Sequence, residues 1–278
     1  MRRRQGRSPL KLLLFDLDGT LLDRQRRVRS SSVAALQMAK GRGLRVSIAT
    51  GRPPASAAAY AELLAPNAPL IHFNGAMVRD FGSGEVLFHR RLARDIALRA
   101  IEAGTSAGAH VNMYLDETLC IARRNETSRA SELKDRMPHT VVGDLAEHLA
   151  AAPAGSEATK LLVIAAPERI PALAAQLRAV LPADIGLVNS EPEYLEVLPP
   201  GVNKGNAARA LCAELGIDAA DVAAVGDSFN DIELLEWAGL GVAMGNAPAE
   251  VAARADVVIG DNDSDAIGDF VRGLLAGE

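Results

Sequence analysis

Asp16 and Asp18 stand one residue apart directly behind the apolar run LLLF at 12–15, and Gly19-Thr20-Leu21-Leu22 follows them. A carboxylate pair ordinarily marks a solvated loop. Here an apolar run ends on it, so a second reading competes, in which a buried strand delivers carboxylates into a site. Two carboxylates that close repel, unless a cation lies between them or one takes a proton. Both outcomes suit phosphoryl chemistry. Mg2+ is held by one or two carboxylates together with waters and phosphate oxygens, and a carboxylate can attack phosphorus to form an aspartyl-phosphate. The D-x-D spacing alone is a weak signal. With a strand before it and Gly-Thr-Leu after it, the signal is strong.

Three further segments carry matching chemistry. After the apolar stretch 222–225 comes Gly226-Asp227-Ser228-Phe229-Asn230-Asp231. Asp227 suits a Mg2+ shell, with Asn230 or Asp231 behind it. Capping of the following helix by Ser228 or Asn230, with Asp231 in its first turn, is the plainer reading, and the two are compatible because the side chains differ. At Thr50-Gly51-Arg52, Thr50 offers a hydroxyl and Gly51 an uncovered backbone N–H for a phosphate oxygen; an ordinary strand-to-helix turn would look the same. Lys204 opens a helix after Pro199-Pro200-Gly201-Val202-Asn203, where its charge opposes the helix dipole. It is either a solvated lysine or a cation that offsets carboxylate and phosphate charge.

These groups need strands that end at one edge of a sheet. Strands are expected over 10–15, 44–49 and 70–73, with helices over 32–42 and 53–64 between them. Pro53 is tolerated in a first helical turn. Strand and helix alternating in this way imply right-handed crossovers and a parallel sheet. Ligands bind outside the carboxyl ends of such strands, where Asp16, Thr50 and Asp227 fall. From 77 the rhythm changes. A hairpin around Asp80-Phe81-Gly82-Ser83-Gly84 is followed by adjacent strands over 110–115 and 118–122, 159–164, 185–189 and 194–197, with helices over 92–107 and 168–181. The α/β rhythm returns at Lys204. The expected architecture is a Rossmann-like, doubly wound parallel sheet built from residues 1–76 and 197–278, with an inserted α+β lobe over 77–196 rich in antiparallel pairs.

The totals narrow the function classes. The chain has 278 residues and a net charge of −5, which offers no electrostatic footprint for nucleic acid. Residues 1–7 are basic, but the apolar run after them is too short for a signal peptide or membrane span, so they read as a disordered tail. Cys120 and Cys212 lack metal-ligand spacing and read as reduced, buried or half-buried thiols, which favours the cytoplasm. The five histidines are scattered, with no pair at zinc spacing, and His72 reads as packed or half-exposed rather than ligating.

The four motifs, in this order, resemble the haloacid dehalogenase-like hydrolase superfamily. Its Asp-x-Asp-Gly-Thr-Leu, strand-ending Thr-Gly-Arg, lysine and Gly-Asp-x-x-Asn-Asp are all intact here. The FNGA at 73–76, the GDSFNDIELLEWAGLGVAMGNAPAEV at 226–251 and the length of the insertion resemble the Cof-type phosphatases of subclass IIB, which carry a C2B cap. The resemblance implies a Mg2+-dependent phosphoric monoester hydrolase for a small phosphorylated metabolite. It implies that Asp16 is the nucleophile and Asp18 the general acid/base, whose backbone carbonyl also binds Mg2+ beside Asp16 and Asp227. Thr50 and Lys204 would hold the phosphoryl oxygens, Gly51 and Asn74 would lie on the substrate side, and Asn230 and Asp231 would support the metal end. Specificity would reside in the cap, around 110–124 and 189–194. Two alternatives remain: a phosphomutase of the same superfamily, which would release an isomer rather than phosphate, and a catalytically silent phosphate-binding module.

Overall fold

The computed structural model describes residues 9–277; the basic stretch read as a disordered tail lies outside them. The chain divides into two compact units. One holds the described residues up to Gly51, Ala57–Phe88 and those from Asn203 onward, and the other holds Arg52–Ser56 and His89–Val202.

The first unit is built on a five-stranded parallel sheet. Its strands are β1 (Leu12–Phe15), β2 (Arg45–Ile48), β12 (Val222–Gly226), β13 (Leu240–Ala243) and β14 (Val257–Val258), in the order β14-β13-β12-β1-β2. β1 is an interior strand, paired in register with β12 on one side and β2 on the other. Successive side chains of a strand face opposite ways, and both faces of β1 are covered. Leu13 and Phe15 pack with Ala35, Leu36, Ala61 and Val271, while Leu12 and Leu14 pack with Ala208, Leu211 and Leu234. This is why the run reads as uninterrupted apolar rather than alternating. Truncating Phe15 to alanine would cost about 3–5 kcal/mol. The covering helices are α1 (Ser30–Gly41), α2 (Pro54–Leu64) and α10 (Ala266–Ala276) on one face, and α7 (Lys204–Leu215) and α8 (Ile232–Trp237) on the other.

β3 (Leu70–His72) extends this unit by a parallel bridge from Ala49 to Ile71. The hairpin β4 (Met77–Arg79) and β5 (Val86–His89) then pairs onto β3. The division between the units thus falls at 88/89, whereas the expected one fell at 76/77. The cause is antiparallel pairing of β3 with β4, Leu70 opposite Arg79 and His72 opposite Met77, which the sequence rhythm does not display. At the return crossing the division falls at 202/203 rather than 196/197, because β11 (Tyr194–Leu198) continues as a strand of the second unit's sheet.

The second unit is a six-stranded sheet with helices. β6 (His110–Leu115), β7 (Thr118–Ile121), β8 (His139–Val141), β9 (Ala158–Ile164) and β10 (Gly186–Glu191) join β11 in the order β10-β11-β9-β6-β7-β8. All neighbours are antiparallel except β7 and β8. α3 (Arg94–Ser106), α5 (Leu145–Ala151) and α6 (Ile170–Val180) bury Ile101, Leu149 and Leu173 against Val111, Met113, Leu161 and Val163. Lys160 and Glu196, on β9 and β11, form a buried ion pair at 2.7 Å. α4 (Glu126–Asp135) and β8 were not expected from the sequence.

Of the alternatives left open by the sequence, the structure has the buried one in each case: Cys120 and Cys212 are buried free thiols, and His72 is buried. No helix among the described residues is long and apolar enough to cross a membrane.

Candidate active site

Asp16, Asp18, Thr50, Gly51, Asn74, Lys204, Asp227, Asn230 and Asp231 all lie in the first unit; all but Lys204, which opens helix α7, follow the carboxyl ends of its strands. Asp16 is the first residue after β1. Its backbone N–H donates to the Val225 carbonyl of β12 at 2.9 Å, so the sheet pairing extends one residue past the strand and holds the Asp16 backbone. Its side chain is buried. The chain then turns at Gly19, whose φ is +79°. A Cβ at Gly19 would stand 2.2 Å from Asp227 Oδ2, so only glycine allows both the turn and the carboxylate beside it.

Lys204 is the first residue of α7, after Asn203, whose side chain accepts from the Asn206 N–H at 2.7 Å and caps the helix. The lysine is fully buried and not solvated. Its Nζ donates to Asp16 Oδ1 at 2.7 Å and to Asp231 Oδ1 at 2.6 Å. Asp231 is also fully buried, and its other oxygen accepts from the backbone N–H groups of Asp227 and Ser228, each at 3.0 Å. Both its oxygens are therefore engaged. It fixes the Asp227 backbone and Lys204 at once, and the capping reading and the supporting reading of this turn hold together.

Asp227, at the end of β12, is half-buried. Thr20 Oγ1 donates to its Oδ1 at 2.7 Å. Carboxylate oxygens of Asp16, Asp227 and Asp231 lie within 4.8 Å of one another. Asp18 does not join that group. Its carboxylate is partly exposed and turned toward Arg26 Nη1, 3.9 Å away. The expected convergence of the Asp16 and Asp18 carboxylates is thus not what the structure has. An alternation of faces along 16–18 would put them on one side, but the backbone leaves the strand after Phe15, and Asp227 and Asp231, from the segment after β12, join Asp16 instead.

Thr50 and Gly51 follow β2. Thr50 is buried, with its N–H donating to the Ile71 carbonyl and its own carbonyl accepting from the Asn74 N–H. Asn74 is buried in a left-handed conformation, φ 55°, beside Phe73 at φ 53°. Two consecutive non-glycine residues in that region are costly. Surroundings hold them: Asn74 Oδ1 accepts from Asn230 Nδ2 at 2.9 Å, and the Asn74 amide lies against Gly51, where a Cβ would meet it at 3.0 Å. Thr50, Gly51, Asn74 and Asn230 are thus one connected stretch of the site. Sequence reading missed Thr20 and Asn246, whose Nδ2 donates to the Gly19 carbonyl at 2.9 Å. Thr20 sits within the quoted motif, and its hydroxyl was the available signal.

The electrostatics follow from the count of charges. Three buried or half-buried carboxylates face one ammonium. Burial raises the Asp16 carboxyl well above its ordinary range; Lys204 opposes the rise, and Asp231 and Asp227 add to it. Burial, with Asp231 beside it, pushes Asp227 up to about 7, against the Thr20 hydrogen bond. Burial alone would lower Lys204, but Asp16 and Asp231 outweigh it and the ammonium is held charged. The cluster lacks positive charge, and a proton or a cation supplies it. A divalent cation with hard oxygen preference fits the donor set, since the group that converges among the described residues is made of carboxylates, those of Asp16 and Asp227 with Asp231. The buried Asn230 Oδ1, which has no hydrogen-bond partner, is a further oxygen in this stretch.

Comparison with known proteins agrees with this geometry. The family model described as haloacid dehalogenase-like hydrolase matches residues 13–271. The chain is 31% identical to the pyridoxal phosphate phosphatase YbhA of Escherichia coli (strain K12), over 95% of this chain and 98% of that protein. It is 29% identical to the 5-amino-6-(5-phospho-D-ribitylamino)uracil phosphatase YitU of Bacillus subtilis (strain 168), over 94% and 96%. Among solved structures, the subclass IIB sugar phosphatase BT4131 superposes with a TM-score of 0.81 at 25% identity, covering 95% of this chain and 99% of that one.

Proposed function

The chain belongs to the haloacid dehalogenase-like hydrolases, among the Cof-type phosphatases of subclass IIB, and we propose that it is a Mg2+-dependent phosphatase that hydrolyses small phosphorylated metabolites through an aspartyl-phosphate on Asp16. The observation that carries this reading is the fully buried Lys204 Nζ bridging Asp16 and Asp231, with Asp227 beside them. A lysine tied down in this way holds one Asp16 oxygen and leaves the other for attack. It also keeps Asp16 from needing a proton once phosphate and metal are bound.

Asp16 and Asp227, with the backbone carbonyl of Asp18, would hold the ion, which supplies Lewis-acid neutralisation of the phosphoryl oxygens when bound. In the first step the free Asp16 oxygen forms a bond to phosphorus, and the bond from phosphorus to the leaving oxygen breaks. Asp18 gives that oxygen its proton, so a neutral alcohol departs. Asp18 then takes a proton from water, whose oxygen attacks the same phosphorus. The Asp16–phosphorus bond breaks, and inorganic phosphate leaves. The partial exposure of Asp18 and its separation from the Asp16–Lys204–Asp231 cluster support a role in moving protons to and from the substrate side. Thr50 and the Gly51 N–H are the donors for phosphoryl oxygens, and Asn74 and Asn230 hold that turn. The relatives act, by their names, on pyridoxal phosphate and on a phosphoribitylamino-uracil. Both are small phosphate monoesters, and this chain's substrate is of that class.

The test is release of inorganic phosphate from a panel of phosphorylated metabolites, with Mg2+ and after exhaustive chelation. Turnover is expected to need the ion and to fall by about 10³-fold or more in Asp16→Asn, with the melting point retained. Accumulation of an isomer without free phosphate would indicate phosphomutase activity, and near-native turnover by Asp16→Asn would refute the nucleophile assignment.

A further inference from the structure

Asp227 is gripped from two sides. Thr20 holds Oδ1. On the other side stands Asn246, in the loop after β13. Its Nδ2 lies 2.9 Å from the Gly19 carbonyl and 3.5 Å from Asp227 Oδ2. Its Oδ1 accepts from the backbone N–H of Asn262 at 3.0 Å, and Asn262 Nδ2 in turn donates to the Leu22 carbonyl at 2.7 Å. Chemistry fixes the sense of the Asn246 amide. Two acceptors lie on one side of it and one donor on the other, so the flipped amide would set oxygen against oxygen. The loop that carries it is closely packed. Gly245 donates its N–H to the Gly260 carbonyl at 2.9 Å, and a Cβ at Gly245 would stand 2.9 Å from the Ile259 carbonyl oxygen.

We infer that Asn246, braced by Asn262, is a positioning residue for the divalent cation: it sets the Asp227 carboxylate and the turn after Asp16 at a common spacing before any ion arrives. This rests on the reading of Asp16 and Asp227 as cation ligands. Gly19 and Asp227 are 208 residues apart, on turns after two adjacent strands, and Asn246 is the side chain that bonds to both. Carboxylates that ligate a metal are themselves oriented by hydrogen bonds, and removing such a partner typically weakens metal affinity 10–100-fold. The amide is exposed and lies outside the hydrophobic clusters, so its effect on the ion is separable from an effect on folding.

The experiment is calorimetric titration of the full chain with Mn2+ at fixed pH, for the native protein, Asn246→Ala and Asn262→Ala. Cation-free melting points are taken alongside. Asn246→Ala is expected to weaken binding by about tenfold or more, and Asn262→Ala by a smaller factor, because it removes the brace to Leu22 and leaves the Asn246 amide in place. The Mg2+ concentration for half-maximal phosphate release should shift by the same factors, which a loss of stability alone would not produce. Native protein that binds Mn2+, with Asn246→Ala binding it equally tightly, overturns the inference and leaves the metal reading standing. Native protein that binds no Mn2+ overturns the metal reading itself, and the inference with it. If Asn246→Ala does not fold, Asn262→Ala decides: unchanged affinity there refutes the bracing.

Discussion

At the scale of single residues, the site is organised around Lys204. A lysine with no exposure is expensive unless its charge is matched and its donors are used. Here Asp16 and Asp231 supply the match at 2.7 and 2.6 Å. Removing the cation is therefore worse than removing an ordinary core residue, since it leaves carboxylates facing one another. Lys204→Met is expected to destabilise the cation-free protein by about 3–5 kcal/mol at pH 8. The penalty should shrink as pH falls, because Asp16, already raised by burial, then takes a proton. Urea unfolding of both proteins across pH checks this. Equal stability at pH 8 would mean the lysine does not offset the carboxylates.

At the scale of elements, turns matter more than the strands and helices they join. Gly19→Ala adds one methyl group, yet it places a Cβ at φ +79° and 2.2 Å from Asp227 Oδ2. The turn and the Asp227 carboxylate cannot both keep their places. The expected outcome is a loss of Mg2+ affinity far exceeding the loss of thermal stability, read by titration and melting on one sample; retained affinity would show the turn to be compliant. The second unit predicts differently, through its histidines. His89 is lowered to about 4, chiefly by burial and then by Arg91, with its Nε2 at 2.8 Å from Thr159 Oγ1. Burial also lowers His110 and His139. In the unfolded chain these imidazoles protonate near 6.5. Between 6.5 and about 4 the unfolded state binds more protons, so folding stability falls as pH drops through that window. Amide exchange should therefore show β6 and β9 losing protection from pH 7.5 to 5.5 more than β1 and β12 do. Equal losses in both sheets would contradict the assignment.

At the scale of the whole molecule, a divalent ion held by the carboxylate cluster would make stability depend on its concentration. Anything that binds the folded state and not the unfolded one stabilises by mass action, about 2.7 kcal/mol at a hundred times the dissociation constant. Adding Mg2+ to chelated protein should raise the melting point, and it should raise that of Asp227→Asn much less, since an anionic ligand is gone. An equal rise in both would indicate binding elsewhere. The units differ in kind. The first buries two apolar faces of a parallel sheet and carries Asp16, Asp18, Thr50, Lys204, Asp227 and Asp231. The second buries one sheet face under three helices and holds a buried Lys160–Glu196 pair.

What the sequence by itself determined is local. The apolar run before Asp16, the glycine that turns the chain, the cap before α7 and the Gly-Asp turn after β12 each act within a few residues. Period and turn chemistry therefore pick out Asp16, Asp18, Thr50, Gly51, Lys204 and Asp227 as candidates, while Asn74 and the role of each residue came from the family resemblance. Elements with a weak local signal were not. α4 reads ETSRASELKD, with almost no apolar stripe, and is held by a capping box between Asn125 and Ser128 that periodicity does not register. The hairpin's allegiance to the first unit depends on pairing with β3, a choice of partner rather than of conformation. Tertiary structure alone decided which carboxylates meet. Asp18 lies two residues from Asp16 and turns away to Arg26, while Asp231 and Asp227 arrive from the far end of the chain. It also decided that Lys204, 188 residues from Asp16, is buried between two acids rather than solvated, and that Thr20 and Asn246 hold Asp227. Hydrogen bonds and charge act over a few ångströms whatever the separation in sequence. Only closure of the parallel sheet brings these distant turns within that reach.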